Sequence, residues 1–261
     1  MTHKFIHLEI GNHVATIVLD NPPLNVVTLG LTRELGETLD AVGVNDDIAA
    51  LIVTGAGDRA FCAGSDIGEF ADMMRPGQVI PKKLGRQNAV FSQLDDFPKP
   101  TIAALHGLVY GGGMEIAVCC DILVAEEDTQ LALPEIKLGL FPSSGGPVRV
   151  TRRIGEGRAK EMMFLGEPVS AQTALAWGLV NRVVAKGEGL AVARSIAVKL
   201  AARAPQALSL CKQAIDMSFD LPEEEVIRRS LLLSDVAFSS SECKEGVRAF
   251  LAKEQPVFRR G

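Results

Sequence analysis

The chain has 261 residues, 47% hydrophobic and 23% charged, enough to bury a sizeable core and too apolar for a disordered polymer. A net charge of −5, one Trp, one Tyr and no long basic run argue against a nucleic-acid partner. Five cysteines (62, 119, 120, 211 and 243) are odd in number and form no CxxC pair, the usage expected of reduced thiols in a cytoplasmic protein.

The first residues, MTHKFIHLEIGNHV, alternate apolar and polar side chains without an apolar h-region, so no signal peptide is expected. Phe5–Ile10 and Val14–Leu19 read as a hairpin split at Gly11-Asn12. Asn21-Pro22-Pro23 breaks the chain, and Thr28 is placed to cap a helix carrying Leu31, Leu35, Leu39 and Val42 at helical spacing. Ala49–Thr54 reads as a buried strand, followed by a loop through Gly64 and a short helical stretch over Asp66–Met74. A helix from about Lys82 to Leu94, a strand Thr101–Leu105, a helix Gly112–Cys120 and a strand Ile122–Ala125 come next. This alternation of strand and helix gives an α/β or α+β class with a parallel-sheet flavour. From Ser170 the pattern turns helical: Ala171–Ala176, Gly189–Arg203, Gln206–Met217, Glu223–Phe238 and Ser241–Lys253. The window Ile102–Ala125 is apolar enough to suggest a membrane span. His106, Glu115, Asp121 and four glycines within it argue for a buried core segment instead, with no membrane partner.

The most informative stretch is Gly107–Glu135. Glu115 follows three glycines (Gly111, Gly112, Gly113) and is surrounded by Met114, Ile116, Ala117, Val118 and two cysteines, so no polar face accounts for it. An ionised carboxylate in such company costs several kcal/mol unless it is paired or used. Glycines ahead of a helix let backbone N–H groups approach a ligand, and Gly112 would present one at a helix N-terminus. Ala63-Gly64-Ser65-Asp66 is a second glycine loop that could supply another, and two such donors on one carbonyl oxygen make an oxyanion hole. Glu135, behind Pro134, gains meaning from Glu115, because two carboxylates on one ligand can divide acid and base roles. Three other signals are weak. Gly55–Ala60 matches a GxGxxA dinucleotide fingerprint, but no periodic helix follows it. His106 reads as a structural histidine, and no Cys/His/carboxylate cluster has metal-ligand spacing. Ser144 lacks the G-x-S-x-G surroundings of a nucleophile.

FCAGSDI (61–67), the segment KPTIAALHG to GGGMEIAVCCDI (99–122) and LPEIKLGLFPSSGG (133–146) resemble the crotonase, or enoyl-CoA hydratase/isomerase, family. SAQTALAWGLVNRVV (170–184) and FLAKEQPVF (250–258) resemble its later segments, so the likeness spans nearly the whole chain. It implies an α/β fold, a crotonase-like spiral of ββα units with a helical C-terminal trimerisation region. The core and active site would occupy residues 1–195, and residues 196–261 would serve oligomerisation and complete the CoA site. By the same resemblance Ser65 and Gly112 are the oxyanion-hole donors, and Glu115 and Glu135 the two catalytic glutamates. Leu24, Val26, Ala63, Gly64, Asp66, Ile67, Gly111, Pro134, Leu138 and Gly139 join Ser65 and Gly112 in lining the acyl-CoA site. Phe250 and Lys253 would reach CoA on an adjacent subunit. No metal and no separate cofactor are implied, since CoA is part of the substrate.

The activity so implied is enoyl-CoA hydration, the addition of water across the 2,3 double bond of a 2-enoyl-CoA thioester. Glu135 would supply the α-proton and Glu115 help activate the water. Rival readings are a Δ3,Δ2-enoyl-CoA isomerase, a hydratase for cyclic or branched dienoyl-CoA, and a non-catalytic acyl-CoA-binding protein. The partners implied are an acyl-CoA thioester and further copies of the chain, as a trimer or dimer of trimers. One departure stands out. Where the family commonly has P-G-A-G-G-T, this chain has Pro142-Ser143-Ser144-Gly145-Gly146-Pro147, adding two hydroxyls beside the acyl pocket.

Overall fold

The computed structural model describes residues 3–258. In chain order it contains β1 (Ile6–Gly11), β2 (Val14–Leu19), α1 (Leu29–Gly43), β3 (Ala50–Gly55), β4 (Ala60–Cys62), α2 (Gly85–Asp95) and β5 (Thr101–Leu105). Then come β6 (Leu108–Tyr110), α3 (Gly112–Ala117), β7 (Ile122–Glu126), β8 (Gln130–Ala132), α4 (Gly146–Ile154), α5 (Glu156–Leu165), β9 (Val169–Ser170) and α6 (Ala171–Trp177). The chain finishes with β10 (Arg182–Val184), α7 (Gly189–Ala201), α8 (Pro205–Met217), α9 (Glu223–Ser239) and α10 (Ser241–Ala252). Among the described residues no helix is long and apolar enough to cross a membrane.

Two sheets organise these elements. The larger has the order β1-β2-β3-β5-β7-β10, parallel except for the β1–β2 hairpin. The smaller has the order β4-β6-β8-β9, parallel except for β8–β9. Alternation along the strands of the larger sheet sends successive side chains to opposite faces. Leu51, Val53, Ala103, Leu105, Leu123 and Ala125 join the main core with α1, α2, α3 and the small sheet. Their neighbours Ala50, Ile52, Ile102, Ala104 and Val124 form a second core under Ala193, Ile196 and Ala197 of α7. Both faces being covered explains why these strands read as continuous apolar runs.

Local chemistry sets several boundaries. Thr28 caps α1, its Oγ1 accepting from Leu31 N at 3.0 Å. The hairpin turn falls on Asn12-His13, both at positive φ, while Gly11 stays paired with Val14, one residue from the Gly11-Asn12 split that the pattern suggested. The stretch read as a loop after β3 contains β4, whose three residues are too few to show a period. Asp66–Met74 forms two 3₁₀ turns, Ile67–Glu69 and Ala71–Met73, the first capped by the Asp66 carboxylate accepting from Gly68 N at 2.9 Å. The helix expected from Lys82 begins as a π-helical turn, Ile80–Leu84, before α2. α3 ends at Ala117, three residues short of the expected Cys120.

Candidate active site

Three neighbouring parallel strands of the small sheet, β4, β6 and β8, end on the same side. Each hands the chain to one part of a cluster: Ser65 after β4, Gly112 and Glu115 after β6, and Glu135 after β8. The order follows from topology, since parallel strands deliver their C-terminal ends to one edge. Gly111 continues the ladder, its N–H donating to Ala132 O at 3.0 Å. Gly111 adopts φ 49°, and a Cβ there would lie 3.0 Å from Glu135 Oε1; only glycine fits both demands. A Cβ on Gly113 would lie 2.2 Å from Cys62 O, so the start of α3 packs directly on the end of β4.

Ser65 pairs with Val27 in an isolated parallel bridge. Val27 N donates to Gly64 O at 2.8 Å and Val27 O accepts from Asp66 N at 3.0 Å. That pattern turns the N–H of Ser65 away from Val27. A Cβ on Gly112 would lie 3.1 Å from Ser65 Oγ and 3.6 Å from Ser65 N. Ser65 and Gly112, the two residues expected as donors, are therefore in near contact, and Gly112, as the first residue of α3, has an N–H outside the helical ladder.

Glu115 is 3% exposed. Its Oε1 accepts from Ser144 N at 2.6 Å and from Gly146 N, at the start of α4, at 3.0 Å. Burial pushes its carboxyl above the usual carboxylate range, and these backbone donors with nearby Arg149 oppose the shift. Glu135, at the second position of the 3₁₀ turn Pro134–Leu138, is less enclosed. Its pKa is raised to about 7, first by desolvation, then by the charge of Glu115, while its own N–H pulls the other way. Its Oε2 is buried without a hydrogen-bond partner among the described residues. One carboxylate is thus held rigidly by donors, and the other is poised to exchange a proton near neutral pH.

Of the remaining residues expected at the site, Leu24 lies beside Ala63, its O accepting from Ala63 N at 3.0 Å. Val26 and Gly64 flank the Val27–Ser65 bridge, and Asp66 and Ile67 begin the turn beyond it. Pro134, Leu138 and Gly139 lie in or directly after the turn that holds Glu135, with Leu138 59% exposed. Phe250 and Lys253 lie elsewhere, at the end of α10. Phe250 lines an apolar cleft of ≈ 680 Å³ with Leu200, Ala207, Leu208 and Phe258. Burial pushes the Cys62 thiol up to about 12 and pulls His106 down, away from the thiolate and imidazolium forms of a reactive pair.

Several supporting residues carry no motif. Lys83, 2% exposed, donates to Glu69 Oε2 at 2.9 Å and to Val27 O at 3.4 Å; Glu69 Oε1 accepts from Leu29 N at 3.0 Å. Gln87, also 2% exposed, donates from Nε2 to Ser144 Oγ at 2.8 Å. One signal for them was available. Lys83, Gln87, Val90, Phe91 and Leu94 fall on one stripe at helical spacing, which puts two polar residues on an inward face.

Residues 9–261 match the enoyl-CoA hydratase/isomerase family. The chain is 34% identical to the short-chain-enoyl-CoA hydratase of Clostridium acetobutylicum over 250 residues, covering 95% of each protein. It is 34% identical to the carnitinyl-CoA dehydratase of Proteus mirabilis over 259 residues, covering 97% of this chain and 98% of the other. Among solved structures, DspI of Pseudomonas aeruginosa superposes with a TM-score of 0.94 at 36% identity, covering 99% of this chain and 97% of that one.

Proposed function

The chain belongs to the enoyl-CoA hydratase/isomerase (crotonase) family, and from that premise we propose that it is an enoyl-CoA hydratase, adding water across the 2,3 double bond of a 2-enoyl-CoA. The observation that carries this reading is the convergence of two glycine-loop N–H donors and two carboxylates at three adjacent strand ends.

In the proposed reaction the thioester oxygen lies between the N–H groups of Ser65 and Gly112. Water attacks Cβ, the π electrons move toward Cα, and negative charge collects on that oxygen. Each donor lowers the barrier by roughly 3–4 kcal/mol, the scale of single-donor deletions in another enzyme. Glu115, fixed by Ser144 N and Gly146 N, helps activate the water. Glu135, with a pKa of about 7, delivers the proton to Cα and recovers one from the water, closing the balance. The reverse of these steps is dehydration of a 3-hydroxyacyl-CoA, the direction named in one relative. Leu24, Val26, Ala63, Asp66 and Ile67 line the CoA path in this reading, with Leu138 and Gly139 at the acyl end.

Isomerisation between 3- and 2-enoyl-CoA needs one proton-shuttling glutamate at position 135, so the rigidly held Glu115 favours hydration. We further propose a homo-oligomer, a trimer or a dimer of trimers, in the cytoplasm. Ile215, Leu231, Leu232 and Leu251 on α8–α10, with Phe219 in the turn after α8, are all more than half exposed, an apolar surface that subunit contacts would cover. Phe250 and Lys253 would then reach CoA bound to the next subunit. Assay of wild type, Glu115→Gln and Glu135→Gln with crotonyl-CoA tests the hydration reading, and sedimentation measures the assembly.

A further inference from the structure

The Ser143-Ser144 pair has one member built into the Glu115 site. Ser144 is 1% exposed, and its N–H already donates to Glu115 Oε1 at 2.6 Å. Its Oγ accepts from Gln87 Nε2 at 2.8 Å, so its hydroxyl proton is directed to another acceptor. The ionisable acceptor beside it is the Glu115 carboxylate, whose Oε1 the same residue's N–H already reaches. Asn88, next on α2, donates to Ser143 O at 3.0 Å, and Arg149 donates to Ser144 O at 3.3 Å, fixing the serine from both sides. Gln87 Oε1 is buried without a partner among the described residues. A cost of that kind persists where the other end of the amide is doing something specific.

We propose that Ser144, oriented by Gln87, is a positioning residue that donates its hydroxyl to Glu115, holding the carboxylate ionised and aimed at the attacking water. This rests on the role given to Glu115 in hydration and adds a donor that an alanine at this position could not supply. A hydroxyl bonded to a carboxylate stabilises its ionised form, so its loss raises the pH at which the group ionises. The other charged or ionisable groups facing Glu115 are Glu135, Arg149 on α4 with its partner Asp95, and Cys119 on the turn after α3. None of them changes in the test.

The test is the carboxyl titration of Glu115 in the ligand-free protein, isolated by infrared difference against Glu115→Gln. Ser144→Ala is expected to move the midpoint upward by about one pH unit, the scale of one hydrogen bond to a charged group. Gln87→Leu moves it the same way by less, because the hydroxyl remains but loses its orientation. The acid limb of kcat for crotonyl-CoA hydration moves with it. An unchanged midpoint in Ser144→Ala, or in Gln87→Leu should the first variant not fold, overturns the proposal. A shifted midpoint in a protein that does not hydrate crotonyl-CoA keeps the Ser144–Glu115 bond and sinks the hydration reading instead.

Discussion

The backbone N–H of Gly146, at the start of α4, donates to Glu115 Oε1 on α3 across 3.0 Å, so the side chain of one helix satisfies the open end of another. Together with Ser144 N, this makes Glu115 a structural acceptor as well as a candidate catalyst. The two roles separate by substitution. Glu115→Gln keeps an oxygen for both N–H groups and should unfold within about 1 kcal/mol of wild type. Glu115→Ala leaves two buried donors unpaired and should lose about 2–4 kcal/mol. Urea denaturation of both variants checks this; equal stability would mean the N–H groups find other partners.

Glu135 gives a pH-dependent prediction. Its pKa of about 7 in the folded protein, against an ordinary 4.5, means the folded state holds the proton more tightly than the unfolded one. This group's contribution is fully present below about pH 4.5 and is lost as pH rises through about 7. Glu135→Gln removes the cost of ionisation. It should match wild type near pH 4 and exceed it by about 2 kcal/mol near pH 8, after discounting for partial exposure. Chemical denaturation at the two pH values reads the difference, and a gap that does not grow with pH contradicts the assignment.

Gly113 has no room for a side chain: an added Cβ would sit 2.2 Å from Cys62 O and 2.7 Å from Cys62 Cβ. Gly113→Ala must push α3 off β4, which carries Gly112 away from Ser65. A loss of about 2–3 kcal/mol is expected, with a fall in turnover larger than that in any fully folded surface variant. Thermal unfolding together with the crotonyl-CoA assay measures both.

Lys83 and Glu69 tie three segments together, since Lys83 touches Val27 O and Glu69 touches Leu29 N. Val27 is the residue that pairs with Ser65. Lys83→Met removes one partner of a largely buried pair and should cost about 3 kcal/mol, while adding Glu69→Gln should restore part of it. A double-mutant cycle in urea gives the coupling; purely additive losses would show that the pair does not act as a unit.

The sequence pattern made some of this legible and hid the rest for identifiable reasons. Glu115 stood out because six apolar neighbours left it no solvated face, and the structure buries it. Thr28 and the strand Thr101–Leu105 were readable because capping and apolar runs are local signals. β4 was not, because three residues carry no period and its partner β6 comes after a long excursion through α2 and β5. α4 and α5 left no clear pattern in Gly146–Leu165, where charged residues interrupt the apolar positions. Ser144 was expected beside the acyl pocket by resemblance. Its bond to Glu115 was invisible, because a backbone N–H made the contact across 29 residues. Lys83 and Gln87 were readable in principle from their places on the inward stripe that runs from the π-helical turn into α2.

The most direct test of the account is the loss of enoyl-thioester absorbance when the protein meets crotonyl-CoA, measured for wild type, Glu115→Gln and Glu135→Gln. Hydration by the carboxylate pair predicts rapid loss in wild type and a fall of about a hundredfold or more in each variant, the scale of acid–base catalysis. Absence of turnover in wild type with acyl-CoA binding intact, or turnover undiminished in both variants, would contradict it.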